Sequence, residues 1–316
     1  MWAHRLIAPG KLEAVEVDEP GQPDPGRVVV RFEAGGICGS DLTSFLGVRD
    51  SVLVASHGKP GYPMHELVGV VEASAADDLP VGTRVVGWAE GHLGLAEKFA
   101  ARADQVCALD DELPPVQASV IQPLCTVLYA MRRLGEVRGA RCAVIGQGSI
   151  GLLFSHALKA AGAGHVTGVD PIDRRDAAGA FGVDVMEWRT SSEWAASLGG
   201  HARPDIVVEA VGHQAATLEH AVEAVAHGGT VLAFGVPDES HYAFPFERFF
   251  RKDATLLGGV TQDRRRSLAA ARDYLVDHGD MLDAYITDVF PVAEAQAAFE
   301  LAVKPTAGRL KVVLEG

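Results

Sequence analysis

Ala143-Val-Ile-Gly-Gln-Gly-Ser-Ile-Gly-Leu-Leu153 stands near the middle of the chain, and its reading decides the rest. Cys142 to Ile145 is an apolar run of strand length, Gly146 to Gly151 is a glycine-rich turn, and Leu152 to Ala161 has the composition of a helix. In a strand, turn and helix of this kind, Gly146 takes backbone angles closed to a side chain. Gly148 lets a pyrophosphate approach the main chain, and Gly151 lets the helix pack close to the strand. Gly146, Gly148, Ile150 and Gly151 are thus candidate contacts for a dinucleotide whose phosphates meet the first helical N–H groups. Beyond the helix, His165-Val-Thr-Gly-Val169 reads as a second strand ending in Asp170, 19 residues past Gly151. A carboxylate there accepts bonds from an adenosine ribose and repels a 2′-phosphate, which predicts NAD over NADP. Arg174 and Arg175 weaken that preference, because a nearby arginine can hold a 2′-phosphate, although they can equally lie over the adenine or in solvent.

The chain has 316 residues, more than a comfortable single core, so two domains are expected. Apolar residues make up 48% and charged ones 22%, a globular balance, and the formal net charge of −14 argues against a nucleic-acid or anionic-membrane surface. A small neutral or polar ligand is the expected partner. No apolar stretch is long enough to span a bilayer, and Met1-Trp-Ala-His-Arg-Leu-Ile7 lacks the segments of a signal peptide, so the expected location is cytoplasmic. Cys38, Cys107, Cys125 and Cys142 form no CxxC pair and no close cluster, which argues against a disulfide framework and excludes a tetrathiolate zinc.

The N-terminal third reads as β-rich. Glu13 to Val17, Arg27 to Glu33, Leu67 to Glu72 and Thr83 to Trp88 are strand candidates separated by Gly and Pro turns, a pattern that suggests a small barrel. From Val116 to Leu134 the apolar spacing is helical. Thereafter strands at Pro204 to Gly212, Gly229 to Gly235 and Asp253 to Gly259 alternate with helices, as in a parallel sheet covered on both faces. Helices over Arg265 to His278 and Val292 to Ala302 precede a closing strand from Arg309 to Leu314, which is expected to pair back with the N-terminal domain.

Two loops hold unusual polar residues. Gly35-Gly-Ile-Cys38-Gly-Ser40-Asp41-Leu42 joins a thiol, a hydroxyl and a carboxylate on one turn, and Gly61-Tyr-Pro-Met-His65-Glu66 sets an imidazole beside a carboxylate. Together they offer sulfur, nitrogen and oxygen for a three-ligand zinc site with an open position. Taken singly, the cysteine reads as an ordinary buried residue and the His-Glu pair as a surface pair.

Gly36-Ile-Cys-Gly-Ser-Asp41, Pro63-Met-His-Glu-Leu-Val-Gly-Val-Val71, Val81-Gly-Thr-Arg-Val-Val86, the Gly146 turn, Asp205-Ile-Val-Val-Glu-Ala-Val-Gly212 and Gly308-Arg-Leu-Lys-Val-Val313 follow one another as in the medium-chain dehydrogenases. Within them the chain resembles the zinc-dependent alcohol, polyol and threonine dehydrogenases. The resemblance implies an α/β fold: a Rossmann doubly wound parallel sheet at 123–260, inserted in a GroES-like β-rich catalytic domain made of 1–122 and 261–316. It further implies one catalytic zinc per chain, with Cys38 and His65 as ligands and Glu66 in the metal shell or behind it. Ser40 would pass the substrate proton outward, Asp41 would orient His65, Thr126 and Val236 would contact nicotinamide, and Asp170 and Arg175 the adenosine ribose.

Departures from the family are equally specific. Met64 replaces a glycine and should put bulk beside the metal; Gln122-Pro123-Leu124 replaces a Glu-Pro-Leu, which makes Gln122 a weak candidate ligand with Cys125 as its substitute; and Thr43 replaces a relay histidine. The lobe that carries a structural zinc is missing between Trp88 and Gly94, so no structural zinc is expected and the rim should be more open. The expected activity is NAD-dependent, zinc-assisted interconversion of a polar secondary alcohol (polyol, cyclitol or amino alcohol) and its ketone. A zinc-independent reductase like the quinone and enoyl reductases and a non-catalytic dinucleotide-binding protein are the alternatives. A homodimer is expected, through an apolar edge formed by Phe244 to Phe250 and Ala254 to Gly259.

Overall fold

Alternating apolar residues make strands the main regular element of the first hundred positions. The computed structural model describes residues 1–48, 54–109 and 112–316. It divides into two compact units, one of Met1–Cys125, Gln262–Pro305 and Arg309–Gly316, the other of Thr126–Thr261 and Thr306–Gly308.

In the first unit, β1 (Trp2–Ala8) and β2 (Lys11–Glu16) form an antiparallel pair. They are followed by β3 (Arg27–Gly36), β4 (Glu66–Ser74), β5 (Arg84–Gly87), β6 (Lys98–Arg102) and β7 (Val106–Ala108). β3 is the spine of the larger sheet. β4 pairs along nearly its whole length on one side, and β6 pairs with Arg27 to Arg31 on the other. Its inward residues Val28, Val30 and Phe32 pack with Leu67, Val71, Val85 and Phe99 in one apolar core, each such burial contributing about 1.5–3 kcal/mol.

The second unit is built on β8 (Arg141–Ile145), β9 (His165–Asp170), β10 (Val185–Trp188), β11 (Ile206–Glu209), β12 (Thr230–Ala233) and β13 (Thr255–Gly258). All are parallel, in the order β10-β9-β8-β11-β12-β13. The order reverses between β8 and β11, the point at which such sheets open to a ligand. β13 ends the sheet, and the neighbouring helix Phe246–Arg251 leaves Phe246 66% and Phe250 72% exposed.

The chain then returns to the first unit with β14 (Ile286–Pro291) and β15 (Lys311–Glu315). β15 runs antiparallel to the end of β3, with Val313 opposite Gly36, so the closing strand does pair with the N-terminal sheet. The helix read as continuous from Val116 to Leu134 is two, Pro115–Ala118 and Ile121–Leu134. Pro123 has no N–H for the carbonyl of Ser119, so the first helix stops and the second begins with proline in its opening turn. No helix among the described residues is long and apolar enough to cross a membrane.

Candidate functional site

Three strand ends meet at one place in the first unit. Gly36 of β3 pairs with Glu66 of β4 on one side and with Val313 of β15 on the other. The turn that leaves β3 therefore brings Cys38 to the residues that lead into β4, His65 and Glu66. One ligand atom from each of these three lies within 4.8 Å of the others.

Asp41, fully buried on the helix Gly39–Phe45, ties the group together. Its Oδ2 accepts the backbone N–H of Cys38 at 3.0 Å, and its Oδ1 lies 2.8 Å from His65 Nδ1. With Nδ1–H given to the carboxylate, the lone pair of Nε2 is left for a cation. Burial pushes the Asp41 pKa upward, but the charge and hydrogen bond of His65 outweigh it and hold the carboxyl below its ordinary value. Burial likewise works against a charged His65, and the charges of Asp41 and Cys38 overcome it, raising the imidazole well above its usual value. Such a concentration of negative charge around an imidazole suits a divalent ion better than a proton, and the mixed S, N and O donors fit zinc.

Glu66 is held from the other side. Its Oε2 accepts from Lys311 Nζ, which also donates to Ile37 O at 3.0 Å, and both charged side chains are 1% exposed. Lys311 belongs to the closing motif, yet the sequence reading gave it no role; a lysine among apolar residues of a buried strand was the available signal. Of the four cysteines, Cys107, Cys125 and Cys142 are buried, and burial followed by the charge of Asp205 pushes the Cys142 thiol up to about 12. Cys38 is the partly accessible one.

One expectation about the departures needs correcting. Met64 does not crowd the metal site: its side chain is fully buried in the apolar core with Phe32 and Leu67 and fills the space above Gly35. The shortened connection after Trp88 lies against the loop that carries His65. Met64 N donates to His92 O at 2.9 Å and Gly94 N to Met64 O at 3.1 Å, which zips the connection onto the loop that carries His65. His92, at a φ of 58°, then lays its ring on that of His65, with centroids 4.1 Å apart and planes 27° apart. Burial, and then the neighbouring charge of His65, lower the His92 pKa to about 3, so this second imidazole is neutral. Only the adjacent glycines hinted at such a turn.

The remaining predicted residues stand on separate elements. Ser40 is partly exposed on the helix that starts after Cys38, and Thr43 Oγ1 donates to Ser40 O at 2.9 Å. Gln122 is buried in the first turn of the helix Ile121–Leu134, with Thr126 one turn later and partly exposed.

In the second unit the three glycines differ. A Cβ on Gly151 would lie 1.7 Å from Gly146 O, Gly146 has a φ of 88°, and Gly148 opens onto empty space at the start of the helix Ser149–Ala160. Two glycines thus shape the turn and the third leaves room for a phosphate, with Ile150 just inside the helix. Asp170 at the end of β9 accepts Gln147 N and Ile172 N, each at 2.7 Å, and so locks the turn to the strand. Val236, 51% exposed, follows β12, where its carbonyl accepts His213 N at 2.8 Å.

Known proteins share this architecture. Residues 24–115 match the alcohol dehydrogenase GroES-like domain and residues 149–276 the zinc-binding dehydrogenase domain. The chain is 26% identical over 349 residues to D-xylulose reductase of Saccharomyces cerevisiae, covering 98% of this chain and 96% of that one. To D-altritol 5-dehydrogenase of Agrobacterium fabrum it is 28% identical over 332 residues, covering 93% and 94%. The structure of the alcohol dehydrogenase TADH from Thermus sp. ATN1 superposes over 100% of both chains with a TM-score of 0.86 at 26% identity. The chain belongs to the medium-chain dehydrogenase superfamily and, within it, is similar to the zinc-dependent alcohol and polyol dehydrogenases.

Proposed function

We propose that this enzyme interconverts a polar secondary alcohol (a polyol, cyclitol or amino alcohol) and its ketone, with one zinc ion and NAD. The observation that carries the reading is the convergence of the partly accessible Cys38 with the buried His65 and Glu66. The names of two relatives, a xylulose reductase and an altritol dehydrogenase, support a hydroxylated substrate.

Cys38 Sγ and His65 Nε2 are the assigned zinc ligands. Glu66, with one oxygen committed to Lys311, ligates through the other or stands behind the metal, and the Gln122 amide is assigned a weaker oxygen contact. When bound, zinc supplies a Lewis acid that lowers the pKa of the substrate hydroxyl, and the nicotinamide supplies the hydride acceptor. Asp41 keeps the His65 ring in one tautomer and orientation throughout. Ser40 Oγ takes the hydroxyl proton and passes it outward; Thr43, already donating to the Ser40 carbonyl, offers no imidazole to receive it, so water completes the path. In the second unit Gly146, Gly148, Ile150 and Gly151 receive the pyrophosphate, Asp170 and Arg175 the adenosine ribose, and Thr126 and Val236 the nicotinamide. NAD is preferred because Asp170 sets a negative charge where NADP carries its 2′-phosphate. Pairing of two copies along β13 completes the proposal.

Elemental analysis together with NADH fluorescence over a panel of sugar alcohols, cyclitols and amino alcohols tests it. About one zinc per chain and alcohol-dependent NADH formation are expected. A metal-free preparation with full turnover overturns the role of zinc, and failure of every secondary alcohol in the panel overturns the substrate class.

A further inference from the structure

The adenosine end of the second unit holds an arrangement outside the glycine motif. β10 runs parallel to β9 with Trp188 opposite Asp170, which puts an indole beside the carboxylate at the carboxyl ends of the strands, where open parallel sheets take their ligands. Trp188 is 56% exposed and fixed in direction by its Nε1, which donates to Pro171 O at 3.0 Å. The Arg175 guanidinium lies over that ring, 5.0 Å from its centroid. Asp173 grips the same guanidinium: Nε donates to Oδ1 at 2.9 Å and Nη2 to Oδ2 at 2.5 Å, and Oδ1 also accepts the Arg175 backbone N–H at 3.1 Å. The Arg175 hydrogen bonds hold the Asp173 carboxyl down at about 2, so the pair stays ionised at neutral pH. Arg174 cannot take the place of Arg175, because it is 3% exposed and donates to Thr306 O at 2.8 Å.

We infer that Asp173 is the positioning residue that decides cofactor choice: it keeps Arg175 flat on Trp188 and engages the donor fork that a 2′-phosphate would require. Its negative charge adds to that of Asp170, so a 2′-phosphate meets two carboxylates and a guanidinium already in use. An adenosine with a free 2′-hydroxyl makes no demand on that fork, and the Arg175–Trp188 pair offers it a flat wall. The inference rests on the dinucleotide reading proposed above and names how that site discriminates.

Calorimetric titration of the full-length protein with NADH and with NADPH tests it. Asp173→Asn removes the negative charge and the oxygen that accepts from Arg175 Nη2, and is expected to tighten NADPH about tenfold while NADH changes less than about threefold. Asp173→Glu, which can still reach Arg175, is expected to keep the wild-type preference. Arg175→Ala should leave the wild-type NADPH-to-NADH ratio nearly unchanged and erase the gain in the Asp173→Asn background, a coupling that a merely structural aspartate would not produce. A wild type that prefers NADH, combined with an Asp173→Asn ratio within twofold of it, overturns this inference and leaves the dinucleotide reading standing. A wild type that binds neither nucleotide overturns both.

Discussion

The candidate metal centre of the first unit and the glycine turn of the second are both polar devices, but they are held in opposite ways. In the glycine turn the partners are mostly backbone: Asp170 accepts two main-chain N–H groups, and the helix lies close enough to the strand that only glycine fits at position 151. In the metal centre they are charged side chains far apart in sequence: Asp41 with His65, and Glu66 with Lys311 from 245 residues away. The turn should therefore be vulnerable to added atoms, and the metal centre to lost charges. A turn made of main chain uses bonds that every residue brings, whereas a centre made of buried charges balances only when each partner is present.

Removing a ligand gives the largest expected effect. Cys38→Ser or His65→Ala should lower turnover by at least about a thousandfold and bring metal content near zero by mass spectrometry, with NADH affinity within about threefold of wild type. Loss of NADH binding in either variant would mean that the two devices are not independent. Next comes Lys311→Met, which leaves the Glu66 carboxylate buried without its cation and should cost about 3–5 kcal/mol in urea unfolding. The double variant with Glu66→Leu should recover most of that loss, and equal losses in the single and double variants would show that the charge balance does not matter there.

On the side of the turn, Gly151→Ala should destabilise by about 1–3 kcal/mol in thermal unfolding and weaken NADH binding without changing metal content. The smallest expected effect is at His92, where Ala should cost about 0.5–1.5 kcal/mol of stacking and show as a several-fold faster loss of zinc to a chelator. His92→Phe, which keeps a ring on His65, should behave like wild type; a Phe variant as weak as the Ala variant would mean that the nitrogen, not the stacking, matters.

The same contrast explains what was legible in the sequence. The turn could be read from consecutive residues because its geometry is dictated locally, by glycine backbone freedom and by strand and helix composition on either side. Cys38, His65 and Glu66 could be named as candidates, but their meeting point depends on the register of β3 with β4, which no single stretch specifies. Lys311 and His92 went unassigned because their roles arise from pairing with distant segments. Met64 was misjudged for a related reason, since neighbourhood to His65 in sequence says nothing about which face of the loop its side chain takes. Trp2 to Ala8, Lys98 to Arg102, Val106 to Ala108 and Val185 to Trp188 were not foreseen as strands. Several are short or partly exposed, so the alternation on which strand assignment depends is weak in them.

One consequence concerns the order in which the molecule is made. The thiol and the imidazole are synthesised well before the cation that balances Glu66, which arrives with β15, 245 residues after that glutamate. Until β15 docks, the sheet carries an unbalanced acid beside the candidate ligands, and a metal ion that arrived early would meet an unfinished cradle. Completion of the candidate metal centre is therefore timed by the docking of β15 rather than by the appearance of its ligands.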